Sequence, residues 1–191
     1  MRVQEIATGL WRWTGLHPAW TPADAGPDGW EQEVGCVYYE APEAVVLVDP
    51  LVPMEDRDRF FQALDRDVER AAQPVHVLLT VDDHRRSSGE LAERYDGTIG
   101  VVPGGVEVPL DNWGERVYWI PEHRALVFGD VVLGRAGGLR LPCTWIGEEH
   151  YDAVVEGLRQ LLELPVERVL VAHGEPVLED GRGALARALG S

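Results

Sequence analysis

The sequence contains no lysine, and this absence removes two kinds of chemistry. All 17 basic residues are arginines, so the chain has neither a Schiff-base lysine nor the lysine of a phosphate-binding P-loop. It also has no run approaching about eighteen apolar residues, so we expect no membrane-spanning helix. Its first residues lack the basic head and the apolar run of a secretory signal peptide. We therefore expect a cytoplasmic protein.

Cysteine and positive charge are both scarce. The two cysteines, Cys36 and Cys143, form no metal-binding spacing, and we expect both to be free thiols. The 33 acidic residues outnumber the 17 basic ones and give a net charge of -16, which repels phosphate backbones and anionic lipids. We expect no nucleic-acid partner and no membrane partner, while a small-molecule ligand and an oligomer both stay open.

The composition is otherwise that of a globular chain. Its 191 residues, of which 45% are hydrophobic, suffice for one domain spanning residues 1–191. β-Branched and aromatic runs predict strands at 35–39, 44–49, 75–80, 116–120, 125–130 and 168–172, and helical spacing of apolar residues predicts helices at 57–72 and 148–163. Hairpin, helix and strand follow one another in each half of the chain. This order predicts an α/β fold of two similar halves, with sheets at the centre and helices outside.

The segment 15–29 is rich in proline and glycine, and we expect it to form a surface loop. Trp20 lies within it and Trp30 follows it. Such aromatic side chains either pack in a core or rim a pocket. We favour packing.

Polar residues follow three of the predicted strands directly: TVDDHRR at 80–86, GD at 129–130 and AHGE at 172–175. Strand ends hold side chains rigidly at a sheet edge, where α/β proteins often place functional groups. Each segment taken alone also suits a solvated loop or a turn. In order and spacing, however, these segments and their strands AVVLVDP, VHVLLT, ALVFGD and VLVAHG resemble the metallo-β-lactamase fold superfamily. The resemblance implies an αββα four-layer sandwich of two similar halves, and a hydrolase with a dinuclear metal site.

The metal-binding motif of that superfamily, T-H-x-H-x-D-H-x-G-G, is degenerate in this chain. When it is placed from Thr80, its ligand positions hold Val81, Asp83, Arg85 and Arg86, and a later ligand histidine becomes Asp111. Of the ligands that the resemblance implies, only Asp130 and His173 remain. His84 lies one position away from any ligand place, and such an offset near a strand end changes the direction of a side chain.

Two fixed positive charges then stand where a cation would bind. Arginine stays protonated, so Arg86, with Arg85, is expected to pair with Asp130 and to replace the metal. The residues expected to line the cleft are Asp82, Asp83, His84, Arg85, Arg86, Asp111, Asp130 and His173. On this interpretation the chain is a non-hydrolytic small-ligand-binding or structural module, and no cofactor is expected.

An alternative interpretation keeps a metal. Asp130, His173 and Asp83 could hold one Zn, Mn or Fe ion, with His84 turned inward. The resemblance then implies a divergent metal-dependent hydrolase in which metal-activated water attacks an ester, a thioester or a phosphoester. A third alternative is an oligomerising domain without a ligand. The sequence assigns no catalytic residue and leaves these alternatives open.

Overall fold

The structure is a computed structural model that describes residues 1–26 and 29–190. Its β-strands are β1 (Val3–Ala7), β2 (Leu10–Leu16), β3 (Glu33–Ala41), β4 (Ala44–Val48), β5 (Val75–Leu78), β6 (Thr98–Ile99), β7 (Glu107–Asn112), β8 (Glu115–Ile120), β9 (Ala125–Phe128), β10 (Leu133–Arg135), β11 (Gly138–Arg140) and β12 (Arg168–Val171). Its α-helices are α1 (Arg57–Ala71), α2 (Ser88–Arg94), α3 (Cys143–Ile146), α4 (Glu148–Gln160) and α5 (Gly181–Ala188).

The strands form two large sheets and one separate hairpin. The first sheet has six strands in the order β1-β2-β3-β4-β5-β6, and the second has four in the order β12-β9-β8-β7. In each sheet an antiparallel hairpin is extended by a parallel strand, β5 beside β4 and β12 beside β9. A helix precedes each parallel strand, as a parallel connection requires. Within the described part of the chain, the hairpin β10–β11 pairs with neither sheet.

The two sheets pack face to face because alternate residues of each strand are apolar on the inner side. Val46 and Val48 of β4 share one buried cluster with Tyr118, Val127 and Leu170 of the second sheet. Successive side chains of a strand point to opposite faces. The residues between them therefore face outward and require cover from a helix.

Helices provide this cover on both outer faces. Val45 and Leu47 pack with Phe60 and Leu64 of α1. On the other side, Val117 and Trp119 of β8 share a buried cluster with α4 and α5. The layers therefore run helix, sheet, sheet, helix, which confirms the αββα sandwich expected from the sequence.

Several elements differ from the sequence prediction. Residues 15 and 16 belong to β2 and not to the predicted loop. Strand β7 contains Asp111, for which the resemblance implied a ligand-bearing turn; most of its side chains are exposed, so it lacks an apolar alternation. Helix α5 holds two glycines, which weaken the helical signal in its sequence.

Two smaller expectations concern thiols and membrane spans. Cys36 and Cys143 are both free, the first buried and the second exposed. Within residues 1–26 and 29–190, no helix is both long and apolar enough to cross a bilayer.

Backbone contacts join the two sheets where several strands end. Gly35 of β3 donates its N–H to the carbonyl of Ala172, just beyond β12, at 2.7 Å. Val34 also forms an isolated antiparallel bridge with His173. The residues that follow β4, β5, β9 and β12 therefore meet at one edge of the sandwich.

Candidate functional site

Three side chains from three strand ends or turns meet at this edge. His84 lies in a 3₁₀ turn after β5, Asp130 follows β9, and His173 follows β12. Nε2 of His84 and Nε2 of His173 each lie 3.2 Å from Oδ1 of Asp130. Both histidines are buried and Asp130 is half-buried. We call these three residues the central cluster.

The carboxylate of Asp49 contacts the ring nitrogen of His84 that faces away from Asp130. Nδ1 of His84 lies 2.9 Å from Oδ2 of Asp49, and Thr80 donates to Asp49 through its backbone N–H at 2.8 Å and its hydroxyl at 2.5 Å. Asp49 thus accepts hydrogen bonds from two groups of Thr80. Its contact with Nδ1 of His84 orients the imidazole. A proton on Nδ1 leaves Nε2 facing Asp130.

The charges of the central cluster follow from these contacts. Burial disfavours a charged His84, but its contacts with Asp130 and Asp49 outweigh burial and raise its pKa to about 9. Burial opposes ionisation of Asp130 as well, yet the imidazoles of His173 and His84 hold its pKa well below the ordinary value. Burial lowers the pKa of His173. At neutral pH His84 is therefore the charged imidazole, His173 the neutral one, and Asp130 a carboxylate.

Glu115 supports the turn that carries Asp130, and the sequence analysis did not single it out. The side chain of Glu115 is 1% exposed. Its carboxylate accepts the backbone N–H groups of Gly129, Asp130 and Val131 at 2.9, 2.8 and 2.7 Å. Burial raises the pKa of Glu115 to about 8 against the effect of these donors. The only sequence signal for it was an acid at the start of an apolar strand.

The expected pair between Arg86 and Asp130 is wrong. Nη1 of Arg86 donates to the backbone carbonyls of Asp49 and Gly35, at 2.9 and 3.2 Å. Arg86 has a left-handed backbone conformation, with φ of 34°, which costs free energy for a non-glycine residue. This conformation directs the guanidinium to the ends of β3 and β4, while two imidazoles already face Asp130. Arg85 is exposed.

The other predicted cleft residues divide into two groups. Asp83 lines the same cleft as the central cluster, without being part of the cluster. Asp82 and Asp111 are exposed and lie 4.0 and 3.9 Å from the guanidinium of Arg116. Neither of these two, nor Arg85, is among the described residues that line the cleft. Their exposure follows from the outward face of the 3₁₀ turn and from the edge position of β7.

Two adjoining clefts open beside the central cluster. The first cleft has a volume of about 660 Å³, and its described lining residues are His17, Ala23, Asp24, Ala25, Gly26, Gly29, Trp30, Asp83, His84, Arg86, Asp130, Trp145 and His173. The second cleft, of about 650 Å³, is lined by Trp20, Ala25, Gly26, Gly29, Trp30, Glu31, Gln32, Leu133, Gly134, Arg135, Ala136, Arg140, His173 and Gly174. Trp30 and His173 belong to both.

Tryptophans enclose His173, so the packing role preferred for Trp30 from the sequence is incomplete. The ring of Trp30 meets the ring of His173 edge to face at 5.0 Å, and the ring of Trp145 does so at 5.8 Å. His17 contacts Trp30 in the same way at 5.2 Å. Trp30 therefore packs and lines a pocket at the same time.

The central cluster has the donor set of a metal site. One donor atom from each of its residues lies within 4.8 Å of the others. Oδ1 of Asp130 is buried, and neither imidazole meets it with the alignment of a hydrogen bond. Two imidazoles and a carboxylate are common ligands of zinc and iron. Three Lewis bases that converge in this way fit a single cation.

Comparison with known proteins identifies structures that share the fold of this chain. No family model matches the sequence, and no curated protein matches it. Among solved structures, the metallo-β-lactamase FIM-1 from Pseudomonas aeruginosa in its mono-zinc form has 13% sequence identity and a TM-score of 0.62, with 99% of this chain and 94% of that chain covered. An NDM/FIM-1-like metallo-β-lactamase from Erythrobacter litoralis, also in a mono-zinc form, has 16% identity and a TM-score of 0.62 over 99% and 94%. A metallo-β-lactamase from Hirschia baltica has 16% identity and a TM-score of 0.60 over 99% and 96%.

Proposed function

We propose that this chain, which has the metallo-β-lactamase fold, binds one divalent metal ion and hydrolyses a small ester, thioester or phosphoester. The metal ligands in this proposal are His84, Asp130 and His173. The observation that carries it is the convergence of two imidazole nitrogens on Oδ1 of Asp130, each at 3.2 Å. Three protein ligands with the cleft on the open side are typical of a catalytic rather than a structural metal site.

Two of the three ligand residues, His84 and Asp130, already have the support that such a site requires. Asp49 faces Nδ1 of His84, which leaves Nε2 as the ligand atom, as in the carboxylate–histidine pairs of known metal centres. Glu115 fixes the backbone of Asp130 through three N–H groups. A bound divalent ion would supply Lewis acidity at this end of the first cleft.

The chain's own side chains define the rest of the environment. Trp30 and Trp145 flank His173 with apolar ring surface. Arg86 lines the first cleft with its guanidinium held by two carbonyl groups. It therefore contributes positive potential beside the central cluster without occupying the position that faces Asp130.

This arrangement changes the preference reached from the sequence. The interpretation as a module without metal required a guanidinium that neutralises Asp130. Arg86 instead donates to the backbone carbonyls of Gly35 and Asp49. The position facing Asp130 is instead shared by two imidazoles that can ligate a cation, His173 as the neutral group and His84 after losing a proton. The set of metal ligands also differs from the expected one, since it contains His84 in place of Asp83.

A metal-free ligand-binding module is the second candidate, and one observation favours it. His84 lies between the carboxylates of Asp49 and Asp130, which together raise its pKa to about 9. An imidazolium in this position balances negative charge as a metal would. In that case the clefts bind a ligand without hydrolysing it.

Metal content distinguishes these two functions. The purified protein would be exposed to zinc, manganese and iron in turn, freed of excess metal, and measured by elemental mass spectrometry. The hydrolase proposal expects about one ion per chain, lost in the Asp130→Ala, His173→Ala double variant. Asp83→Asn is the matched control, because Asp83 lines the cleft outside the central cluster, and it should keep the metal. Metal far below one per chain in the wild type would refute the metal site and leave the module.

A further inference from the structure

We propose that a groove on the outer face of the first sheet binds an organic cation with a methylated ammonium group. The groove lies between β2 and helix α1, has a volume of about 280 Å³, and is lined by the aromatic residues Trp11, Trp13, Tyr38 and Phe60 among others. We call it the aromatic groove. It shares no described lining residue with the two clefts beside the central cluster. The inference therefore goes beyond the proposed function and does not depend on it.

Three aromatic rings form the floor of the aromatic groove because the sheet register places them side by side. Trp11 and Trp13 are two residues apart on β2, so their side chains lie on the same face of the sheet. Tyr38 of β3 lies opposite Trp11, and the rings of these two residues meet edge to face at 5.5 Å. The floor is thus a continuous aromatic surface.

One face of α1 forms the wall above this floor. It lines the groove with four residues at helical spacing: Phe60, Ala63, Leu64 and Asp67. The ring of Phe60 lies 5.6 Å from the ring of Trp13 and is tilted by 46° against it. The groove therefore combines four aromatic rings with the carboxylate of Asp67.

Another aromatic ring of α1 already has cations above its face. The guanidinium groups of Arg94 and Arg57 lie 4.2 and 5.0 Å from the ring centre of Phe61. The face of an aromatic ring carries partial negative charge and attracts a cation within about 6 Å of its centre. Among the described residues, no arginine lies over any of the four rings of the aromatic groove. These rings are therefore available to a cation from solution.

The cationic groups of the described lining are each paired with a carboxylate. The N-terminal ammonium of Met1 lies 3.0 Å from Oδ2 of Asp56. Nε of Arg66 lies 3.4 Å from Oδ1 of Asp67, and the side chain of Arg66 is 72% exposed. So exposed an ion pair contributes little to stability. A ligand cation can therefore replace Arg66 beside Asp67 at small cost.

Carboxylates stand on both sides of the aromatic groove. Asp67 belongs to the helix, and Glu5 lies opposite Trp11 in the β1–β2 pair, so it shares the face of the sheet that carries Trp11. Glu5 is exposed and forms no ion pair within the part of the chain that the structure describes. Since acidic residues outnumber basic ones 33 to 17, the field of the whole chain also attracts cations.

The polar groups of the floor indicate a methylated rather than a bare ammonium. Nε1 of Trp13 donates to the carbonyl of Leu51 at 2.9 Å, and the hydroxyl of Tyr38 donates to Glu40 at 3.0 Å. Both side chains thus contribute chiefly ring surface to the groove. A bare ammonium is strongly hydrated and requires hydrogen-bond acceptors. Methyl groups instead present apolar surface to the rings while the cation keeps its charge, which is how aromatic cages recognise such ligands.

An NMR titration with tetramethylammonium chloride, followed at the indole N–H signals of Trp11 and Trp13, tests the aromatic groove. The probe would replace sodium chloride at constant ionic strength. We expect a Kd of about 1–10 mM. Neutral tert-butanol, which is similar in size, should bind at least about tenfold more weakly, because it offers no charge to the rings or to Asp67.

Two variants distinguish the contributions of the ring and of the carboxylate. Trp11→Leu should weaken the Kd of tetramethylammonium by about fivefold, and Asp67→Asn by about threefold. Trp113→Leu is the control for the ring, because Trp113 is half-buried elsewhere in the fold. Asp58→Asn is the control for the charge, because Asp58 is an exposed acid of α1 outside the groove. Both controls should keep the Kd within about twofold of the wild type.

Three outcomes would overturn the inference. Equal affinity for tert-butanol would mean that the groove binds apolar molecules without regard to charge. Equal losses in Asp67→Asn and Asp58→Asn would mean that the probe is attracted to the acidic surface as a whole. The third outcome is the absence of shifts at both indole signals up to about 50 mM probe. If Trp11→Leu does not fold, the neutral probe and Asp67→Asn still decide.

The Asp130→Ala, His173→Ala variant keeps this inference apart from the proposed function. It should bind tetramethylammonium as the wild type does, because the aromatic groove contains neither residue. Binding that is lost in this variant would place the probe at the central cluster and overturn the inference. Failure of the metal measurement leaves the result of this titration unchanged.

Discussion

Replacing Glu115 by glutamine exchanges one carboxylate oxygen beneath Asp130 for an amide nitrogen and keeps the size of the side chain. The carboxylate accepts three backbone N–H groups at 2.7 to 2.9 Å. Glutamine offers one carbonyl oxygen, so its NH₂ group must face at least one of these donors. A buried N–H that loses its acceptor costs about 1–3 kcal/mol. Near pH 5 the carboxyl group of Glu115 is protonated but both of its oxygens keep lone pairs that can accept. We therefore expect Glu115→Gln to lower the free energy of unfolding by this amount near pH 5.

The difference between wild type and variant should depend on pH. Burial raises the pKa of Glu115 in the folded chain to about 8, above its value in the unfolded chain of roughly 4.3. The folded chain therefore retains a proton that the unfolded chain releases. The stabilising contribution is complete below the unfolded pKa and is lost as the pH rises through the folded pKa. Glutamine has no such proton, so the variant should approach the wild type in stability between pH 5 and pH 9.

Urea unfolding at pH 5, 7 and 9 measures this difference, and amide hydrogen exchange at residues 129–131 reports the local effect. Exchange there should accelerate in Glu115→Gln because the variant loosens the turn. Glu107→Gln is the control, since Glu107 is an exposed acid on the neighbouring strand, and its effect should stay within about 0.5 kcal/mol. A stability difference that widens with pH would refute the reasoning, because it would mean that the three N–H donors outweigh burial and keep Glu115 ionised.

Three further predictions use other parts of the site. Gly35→Ala should cost about 1–3 kcal/mol in urea unfolding, since its Cβ would lie 2.6 Å from the guanidinium of Arg12; an unchanged midpoint would contradict this packing. Asp49→Asn should lower the pKa of His84 from about 9, because a negative charge beside Nδ1 is lost; an NMR titration with no change would assign the shift to Asp130 alone. Burial raises the pKa of the Cys36 thiol to about 11, so a disulfide reagent should modify one cysteine in the folded chain and two in urea; two rapid modifications in the folded chain would disprove this burial.

The fold could be predicted from the sequence because it depends on how apolar side chains alternate between the two faces of each strand. Val45 to Val48 alternate between the inner cluster and the α1 side, so both faces of the strand are apolar, as in a sheet covered on both sides. The same reasoning found α1 and α4 from helical spacing. It missed β7 because an exposed strand has little apolar pattern. It also missed features that polar contacts stabilise, such as the turn at 129–131, whose N–H groups donate to Glu115.

The central cluster was predictable only in part. Asp130 and His173 follow strands whose ends are fixed by the sheet, so their direction could be expected. His84 could not be assigned in the same way. The chain leaves the strand at Leu78 and enters a 3₁₀ turn at Asp82–Arg85, where side chains repeat every three residues and not every two. An argument from strand alternation therefore gave the wrong direction for His84.

Arg86 shows the limit of inference from charge alone. A cation beside a carboxylate suggested an ion pair, but a side chain can pair only in the direction that its backbone allows. Arginine is not a residue type that prefers the left-handed φ that Arg86 adopts, so this turn could not be predicted from the sequence. Its contacts with the carbonyls of Gly35 and Asp49 hold that conformation in place.

The proposed metal site is compatible with the degenerate motif. The place where Asp130 meets its partners is set by the packing of two sheets and by the Gly35–Ala172 contact between them, and neither depends on the histidines of the motif. The 3₁₀ turn directs His84 inward to the same carboxylate. His84 occupies that position with Asp49 behind it. The strand ends position Asp130 and His173, and the turn positions His84. In the proposed metal site, the ligand from the turn therefore stands at another position than the motif gives it.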